Sequence, residues 1–156
     1  MVTVSAPTLL VKTEARAAAV RIVDDPGGRI GDYVVRYQAL RAAGDVIVID
    51  GYCASACTIV LGAIPRDRIC VTHRAELLFH AAYDAGPHDS RLPNRAATES
   101  LYSMYPAEVQ RWIDLHGGLT RRGVLLRGRT LAAMYRPCSI HGTLQAQRQL
   151  PARSSN

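Results

Sequence analysis

In the stretch GYCASACTIVLG, residues 51–62, a serine is flanked by two alanines and then by two cysteines, between apolar runs at 46–49 and 59–61. A serine hydroxyl becomes a nucleophile when a base lies within hydrogen-bond reach and backbone N–H groups face the developing oxyanion. A serine that opens a helix meets the second condition, because the first amides of a helix are unpaired and its dipole favours negative charge there. Ala54 and Ala56 leave room for a carbonyl to approach Ser55. A glycine turn after a neighbouring strand, here Gly27-Gly28, could supply a second donor, and His80 in LLFHAA could be the base.

The same residues permit other chemistry. Cys53, Cys57, Cys70 and His73 have spacing near that of a zinc site, although the residues between them are apolar where zinc loops are usually polar. Cys53 or Cys57 could replace Ser55 as the nucleophile. The four cysteines, with Cys138, also suit two disulfides in any of three pairings if the chain is exported, or buried thiols in a reducing compartment. Asp24-Asp25 could hold a cation, but acids before Pro-Gly are ordinary turn formers. Val109, Trp112, Ile113 and His116 follow helical spacing and read as a core-facing stripe. Tyr102 and Tyr105 line the same cleft or pack, and no functional role follows for His88 and His141.

These groups must be carried by regular elements. Residues 20–23 read as a short buried strand stopped by the turn DDPGG. Tyr33, Val34, Tyr37 and Leu40 recur at helical spacing until Gly44. A second strand spans 46–50 and a short buried helix 56–62. Residues 65–68 turn, strands follow at 69–72 and 77–81, and the run 84–94 reads as a loop or lid. Helices are expected at 96–104 and 106–116, the latter with proline at its first position, and a last helical turn at 131–135. Strand-helix alternation implies a parallel sheet with right-handed crossovers, whose sites gather at the carboxyl ends of strands. Both DDPGG and YCASAC fall at such ends.

With 156 residues, 48% of them hydrophobic and 21% charged, the chain has the composition of one globular domain. No apolar stretch approaches the roughly 18–20 residues of a membrane span, and the start lacks the order of a secretion signal. Net charge is −1 over residues 1–114 and +7 over 115–156, a segment with seven arginines and no acid. Those arginines are dispersed without interleaved aromatics, so a solvated basic surface is expected in place of a nucleic-acid interface.

Taken in order, DDPGGRIGDYVVRYQAL, VIVIDGYCASACTIVLGA and RDRICVTHRAELLFHAA resemble the core of the Clp protease proteolytic subunit, within the wider Clp/crotonase-like superfamily. That family has a Pro-Gly-Gly turn leading into a helix, a strand delivering a small-Ser-small turn, and a histidine about 25 residues later, the separation of Ser55 and His80. The resemblance covers residues 19–83, with weaker helical similarity up to Cys138. It implies an α/β fold and a serine peptidase (a hydrolase) acting through an acyl-enzyme, without metal or organic cofactor. Ser55 would be the nucleophile, His80 the base, and the backbone amides of Gly28 and Ala56 the oxyanion donors. Peptide or protein substrates and assembly into a homo-oligomer follow from the same resemblance. So does a periplasmic or otherwise exported location, in keeping with the cysteines.

Two departures stand out. The family's orienting aspartate is expected in the last quarter, where this chain has no acid, so Asp114 is the latest candidate and Asp84 the one nearest His80. Asp89, Glu108 or a Ser–His dyad are the other options. A Ser–Lys pairing is disfavoured because the one lysine, Lys12, lies in the lead-in. The family also has a strand and helix before the Pro-Gly-Gly strand. Here residues 1–18 read as an irregular lead-in, so the chain is read as N-terminally shortened or as covered at that edge by another subunit. Residues 19–138 form the α/β domain and 139–156 a disordered tail. The alternative function is a non-catalytic scaffold or peptide- or acyl-binding domain; a zinc-binding interaction module comes third.

Overall fold

A run such as Val46-Ile-Val-Ile49 is fully buried only inside a sheet covered on both faces. A computed structural model describes residues 17–139 and places this run at the centre. The lead-in up to residue 16, the tail from 140 and His141 lie outside the described residues. Strand β1 (Ala19–Asp25) leads through helix α1 (Ile30–Ala43) to β2 (Val46–Ala54), which lies parallel to β1. Gly44 closes α1 in the left-handed conformation (φ 78°), as its position after the last apolar repeat predicts.

Beyond β2, a tight 3-10 turn at Ser55–Ile59 runs into α2 (Val60–Ala63). The other side of β2 is shared by two short parallel strands. β3 (Ile69–Val71) pairs with its first half and β4 (Glu76–Phe79) with its second. A hairpin of β5 (Tyr83–Ala85) and β6 (Arg91–Pro93) precedes α3 (Arg95–Ser103) and α4 (Ala107–Leu115). Strand β7 (Val124–Arg127) then adds antiparallel to β4 and leads into α5 (Gly128–Met134). The class is mixed α/β with a mostly parallel sheet, as expected. No helix among the described residues is long and apolar enough to cross a membrane.

Differences from the expected elements have local causes. The second strand does not stop at Asp50 but continues through Gly51 to Ala54. Pairing with β1 slips between Ile22 and Asp24, and a methyl at Gly51 would lie 1.9 Å from the Val23 carbonyl oxygen. Gly51 is therefore a close-approach glycine at a bulge, and no strand end. The stretch 84–94 is no plain loop, since it holds most of the β5–β6 hairpin. β7 escaped notice because only Leu126 of its four residues is buried, which leaves little apolar pattern. Pro106 caps α4 from outside its first turn.

The core joins both layers: Tyr37 of α1, Ile47 and Ile49 of β2, Leu77 and Phe79 of β4, Val109 and Ile113 of α4. Phe79 meets Tyr105 edge-on at 5.1 Å between ring centroids, and Trp112 packs beside it at 6.1 Å. The stripe of Val109, Trp112 and Ile113 is thus a packing face.

One buried charge ties the sheet together. Asp50, 3% exposed, accepts hydrogen bonds from Arg21 of β1 (Nε, 2.6 Å), from Thr72 (2.6 Å), and from Arg74 (Nε, 3.1 Å), with second guanidinium contacts from each arginine. Arg74 holds this carboxyl well below the usual carboxylate range, against the opposing effect of burial, and Thr72 and Arg21 add to it. A depressed folded-state pKa gives stability that is complete above the unfolded value, about 3.9, and is lost as pH falls below it. Two disulfides, Cys53–Cys57 and Cys70–Cys138, use all four cysteines, and the second closes a separation of 68 residues.

Asp50→Asn is expected to cost roughly 3 kcal/mol at neutral pH and to flatten the acid limb of stability, read from urea midpoints between pH 7 and pH 3. Replacing Cys70 and Cys138 with alanine should cost about 4 kcal/mol, against about 2 for Cys53 and Cys57, because the longer loop restricts the unfolded chain more. Equal losses from the two double variants would refute that ordering.

Candidate functional site

Ala54 is the last residue of β2 and pairs with Leu78 of β4. Ser55 follows at once and His80 lies two residues past Leu78, so both emerge at the carboxyl ends of neighbouring parallel strands, about 4.8 Å apart. Ser55 is the half-exposed residue in an otherwise buried run from Cys53 to Leu61. Its backbone has φ 55°, a left-handed conformation that costs a side-chain-bearing residue energy.

What holds that conformation is visible on every side. The Cys53–Cys57 disulfide spans the turn from one flank to the other. Thr58 donates its hydroxyl to the Ser55 carbonyl at 2.6 Å and shares a 2.7 Å hydrogen bond with the buried Tyr105 hydroxyl. Tyr37, fully buried, donates to the Cys57 carbonyl at 2.9 Å. Burial pushes the hydroxyls of both tyrosines above their ordinary pKa, so they remain donors.

The glycine turn after β1 reaches the same point. A methyl at Gly27 (φ 84°) would lie 2.7 Å from Ser55 Cβ and 3.0 Å from the Ala56 nitrogen. Asp25 shapes the turn: its carboxylate accepts the Gly27 N–H at 3.0 Å, the Tyr33 hydroxyl, and an Arg36 contact at 3.4 Å. Asp24-Asp25 therefore acts as the turn former. The next amide, that of Gly28, makes no hydrogen bond among the described residues. Ala56 lies in the first turn of its helix, where amides lack intrahelical partners.

His80 is oriented by backbone. Its Nδ1 lies 2.8 Å from the Ala81 carbonyl oxygen, which can only accept, so Nδ1 carries the proton and Nε2 of the neutral ring keeps its lone pair. Tyr83 stacks on the ring at 5.9 Å, and Gly123 packs against it where a methyl would lie 3.0 Å from His80 Cβ. No carboxylate pairs with His80 among the described residues. Asp114 accepts the Tyr102 hydroxyl at 2.7 Å, Asp84 accepts the Asn94 amide at 3.0 Å, and Glu108 pairs with Arg66 at 2.7 Å. Ser55 Oγ likewise makes no hydrogen bond to His80.

The structure thus gathers Ser55, His80, Gly28 and Ala56 at one end of the sheet and gives Asp84, Glu108 and Asp114 other partners. The cysteines proposed as zinc ligands are spent in disulfides, which removes that donor set. The same bonds remove the thiol nucleophiles. Sequence reasoning missed Ala81 as the group on Nδ1, because a backbone carbonyl leaves no residue-type signal. It also missed Thr58, whose hydroxyl three residues after Ser55 was a readable sign of back-bonding.

No protein-family model and no curated protein matches the chain. Among solved structures, a ClpP1 variant from Listeria monocytogenes is similar with a TM-score of 0.42 and 12% identity, over 76% of this chain and 71% of that one.

Relief of the backbone conformation at Ser55 should be measurable. Ser55→Gly is expected to be about 1 kcal/mol more stable than Ser55→Ala, since only glycine adopts positive φ freely. Calorimetric or urea unfolding of the two variants checks this; equal stabilities would mean the turn relaxes without cost.

Proposed function

We propose that this chain is a serine peptidase-like protein of the Clp protease type, hydrolysing peptide bonds through an acyl-enzyme on Ser55. The observation that carries the reading is the Ser55 turn: a serine forced to positive φ, half-exposed, with the first-turn amide of Ala56 next to it and packed against the Gly27-Gly28 turn, whose Gly28 amide makes no hydrogen bond among the described residues. Strain of this kind is kept where it aims a side chain.

In the proposed reaction Ser55 Oγ attacks the scissile carbonyl while His80 Nε2 takes the hydroxyl proton. The carbonyl oxygen gains negative charge and is met by the Gly28 and Ala56 amides. The bond to nitrogen then breaks, His80 returns the proton to the departing amine, and water hydrolyses the ester by the same route. Ala81, in place of a carboxylate, fixes the tautomer. A carbonyl lacks the full charge that would stabilise the imidazolium, so the dyad should be slower than a triad.

A second reading, a non-catalytic scaffold that binds peptides or acyl groups in the same cleft, is favoured by one observation: Ser55 Oγ and His80 share no hydrogen bond. We further place the protein in an oxidising, exported compartment, which its two disulfides support. Assembly into a homo-oligomer is part of the same proposal.

A fluorophosphonate probe separates the readings. The folded wild type should be labelled at Ser55, Ser55→Ala should not be labelled, and His80→Ala should react about a thousandfold more slowly. Asp114→Asn should label like the wild type, because its carboxylate faces Tyr102. Absence of label on the folded wild type would favour the scaffold.

A further inference from the structure

Next to His80 lies a cavity of about 110 Å³ whose chemistry the proposed dyad does not use. Ala81, Ala82 and Pro93 give it apolar walls, Tyr83 one side, and Arg91 and Arg121 its charge. Six other arginines pair with carboxylates: Arg21, Arg36, Arg66, Arg74, Arg95 and Arg127. The guanidinium groups of Arg91 and Arg121 have no acid and no hydrogen bond among the described residues. Two cations thus line one small, partly apolar hollow whose lining holds no acid, an arrangement complementary to an anion.

The Arg91 side chain and the Arg121 backbone are both tied to the residues that follow the base. The Arg91 guanidinium sits 4.5 Å over the Tyr83 ring, and that ring in turn stacks on His80. β5–β6 pairing of Ala85 with Arg91 fixes its register. Arg121 follows Thr120, whose carbonyl accepts the Ala81 N–H at 2.9 Å. The segment between is clamped as well: Thr98 accepts the Ala82 N–H at 2.9 Å and Ala82 accepts the Asn94 N–H at 3.0 Å. Asp84, next to Tyr83 in the chain, bonds Asn94 and does not line the cavity.

We infer that this cavity is a carboxylate-binding subsite, formed by Arg91 and Arg121, that selects a peptide with an acidic side chain just beyond the scissile bond. The inference rests on the peptidase reading for its position along the substrate. The imidazole must hand its proton to the departing amine, so the residue carrying that amine lies on the His80 side. Planar guanidinium groups match a carboxylate bidentately, and the ring beneath Arg91 lowers the ordering cost on binding. A free C-terminal carboxylate on a short leaving segment presents the same chemistry.

The test uses Ser55→Ala protein and fluorescein-labelled hexapeptide pools, with Glu, Gln or Lys at the fourth position and small apolar residues elsewhere. Binding is read by fluorescence anisotropy at physiological salt. The Glu pool should bind about tenfold or more tightly than the Gln pool, with Lys weakest. Arg91→Ala and Arg121→Ala should each erase most of that preference with unchanged circular dichroism, and Arg129→Ala on α5 should leave it intact. Pools amidated at the C-terminus locate the carboxylate: an unchanged Glu preference assigns it to the side chain, whereas equal binding of the Glu and Gln pools that weakens on amidation overturns that assignment in favour of the substrate terminus. Equal binding of Glu and Gln pools that amidation leaves unchanged, or a preference that survives in the Arg91→Ala/Arg121→Ala double variant, would overturn the subsite itself. Failure of wild-type labelling by fluorophosphonate alongside an intact Glu preference would overturn the peptidase reading and leave the carboxylate site.

Discussion

Contact between Gly27 and the Ser55–Ala56 peptide is the constraint around which the site is built. Two loops from the ends of adjacent strands meet there with no room for even one methyl group, so each fixes the other. The Ser55 backbone is held in a conformation its side chain disfavours, and the surroundings supply the energy: a disulfide across the turn, a threonine bonded back to the serine carbonyl, and a buried tyrosine on the carbonyl of Cys57. None of these supports acts on the serine hydroxyl. They set where the hydroxyl points and leave it without a partner among the described residues.

Farther from the site, the sheet has a different anchor. Asp50 gathers Arg21, Thr72 and Arg74, drawn from β1 and from the connection between β3 and β4, onto one buried carboxylate. This cluster lies in the stretch of β2 before Gly51, whereas the serine turn lies after it. The bulge opposite Gly51 divides the strand into an anchored half and a working half. Loss of charge at Asp50 and loss of strain at Ser55 should therefore be separable effects.

Much of this was legible in the residues. Apolar β-branched runs marked β2, helical spacing with Gly44 marked α1, and the small-Ser-small turn after a strand marked the site. What was hidden had physical reasons. Gly51 looked like a strand end because a glycine's effect depends on the backbone opposite it. β7 and the β5–β6 hairpin expose most of their residues, so their alternation carries little apolar contrast. The pairing of four cysteines is a matter of which ends approach in space, and sequence left three arrangements open. The orientation of His80 by Ala81 was unreadable, since every residue carries a carbonyl.

The segment after α5 also covers a flank of the sheet. Val71 bonds Arg136 and Cys138 through its backbone, and Pro137 forms a parallel bridge with it, so residues 136–138 lie as a stub along the outer side of β3. β3 is three buried apolar residues long, the kind of strand whose open flank invites pairing with another molecule. A proline in the stub cannot extend the ladder outward, and the bond from Cys138 to Cys70 keeps the stub from peeling away. The bond that closes this 68-residue separation thus also pins the cover over the flank of β3, and a reducing environment would unlatch it.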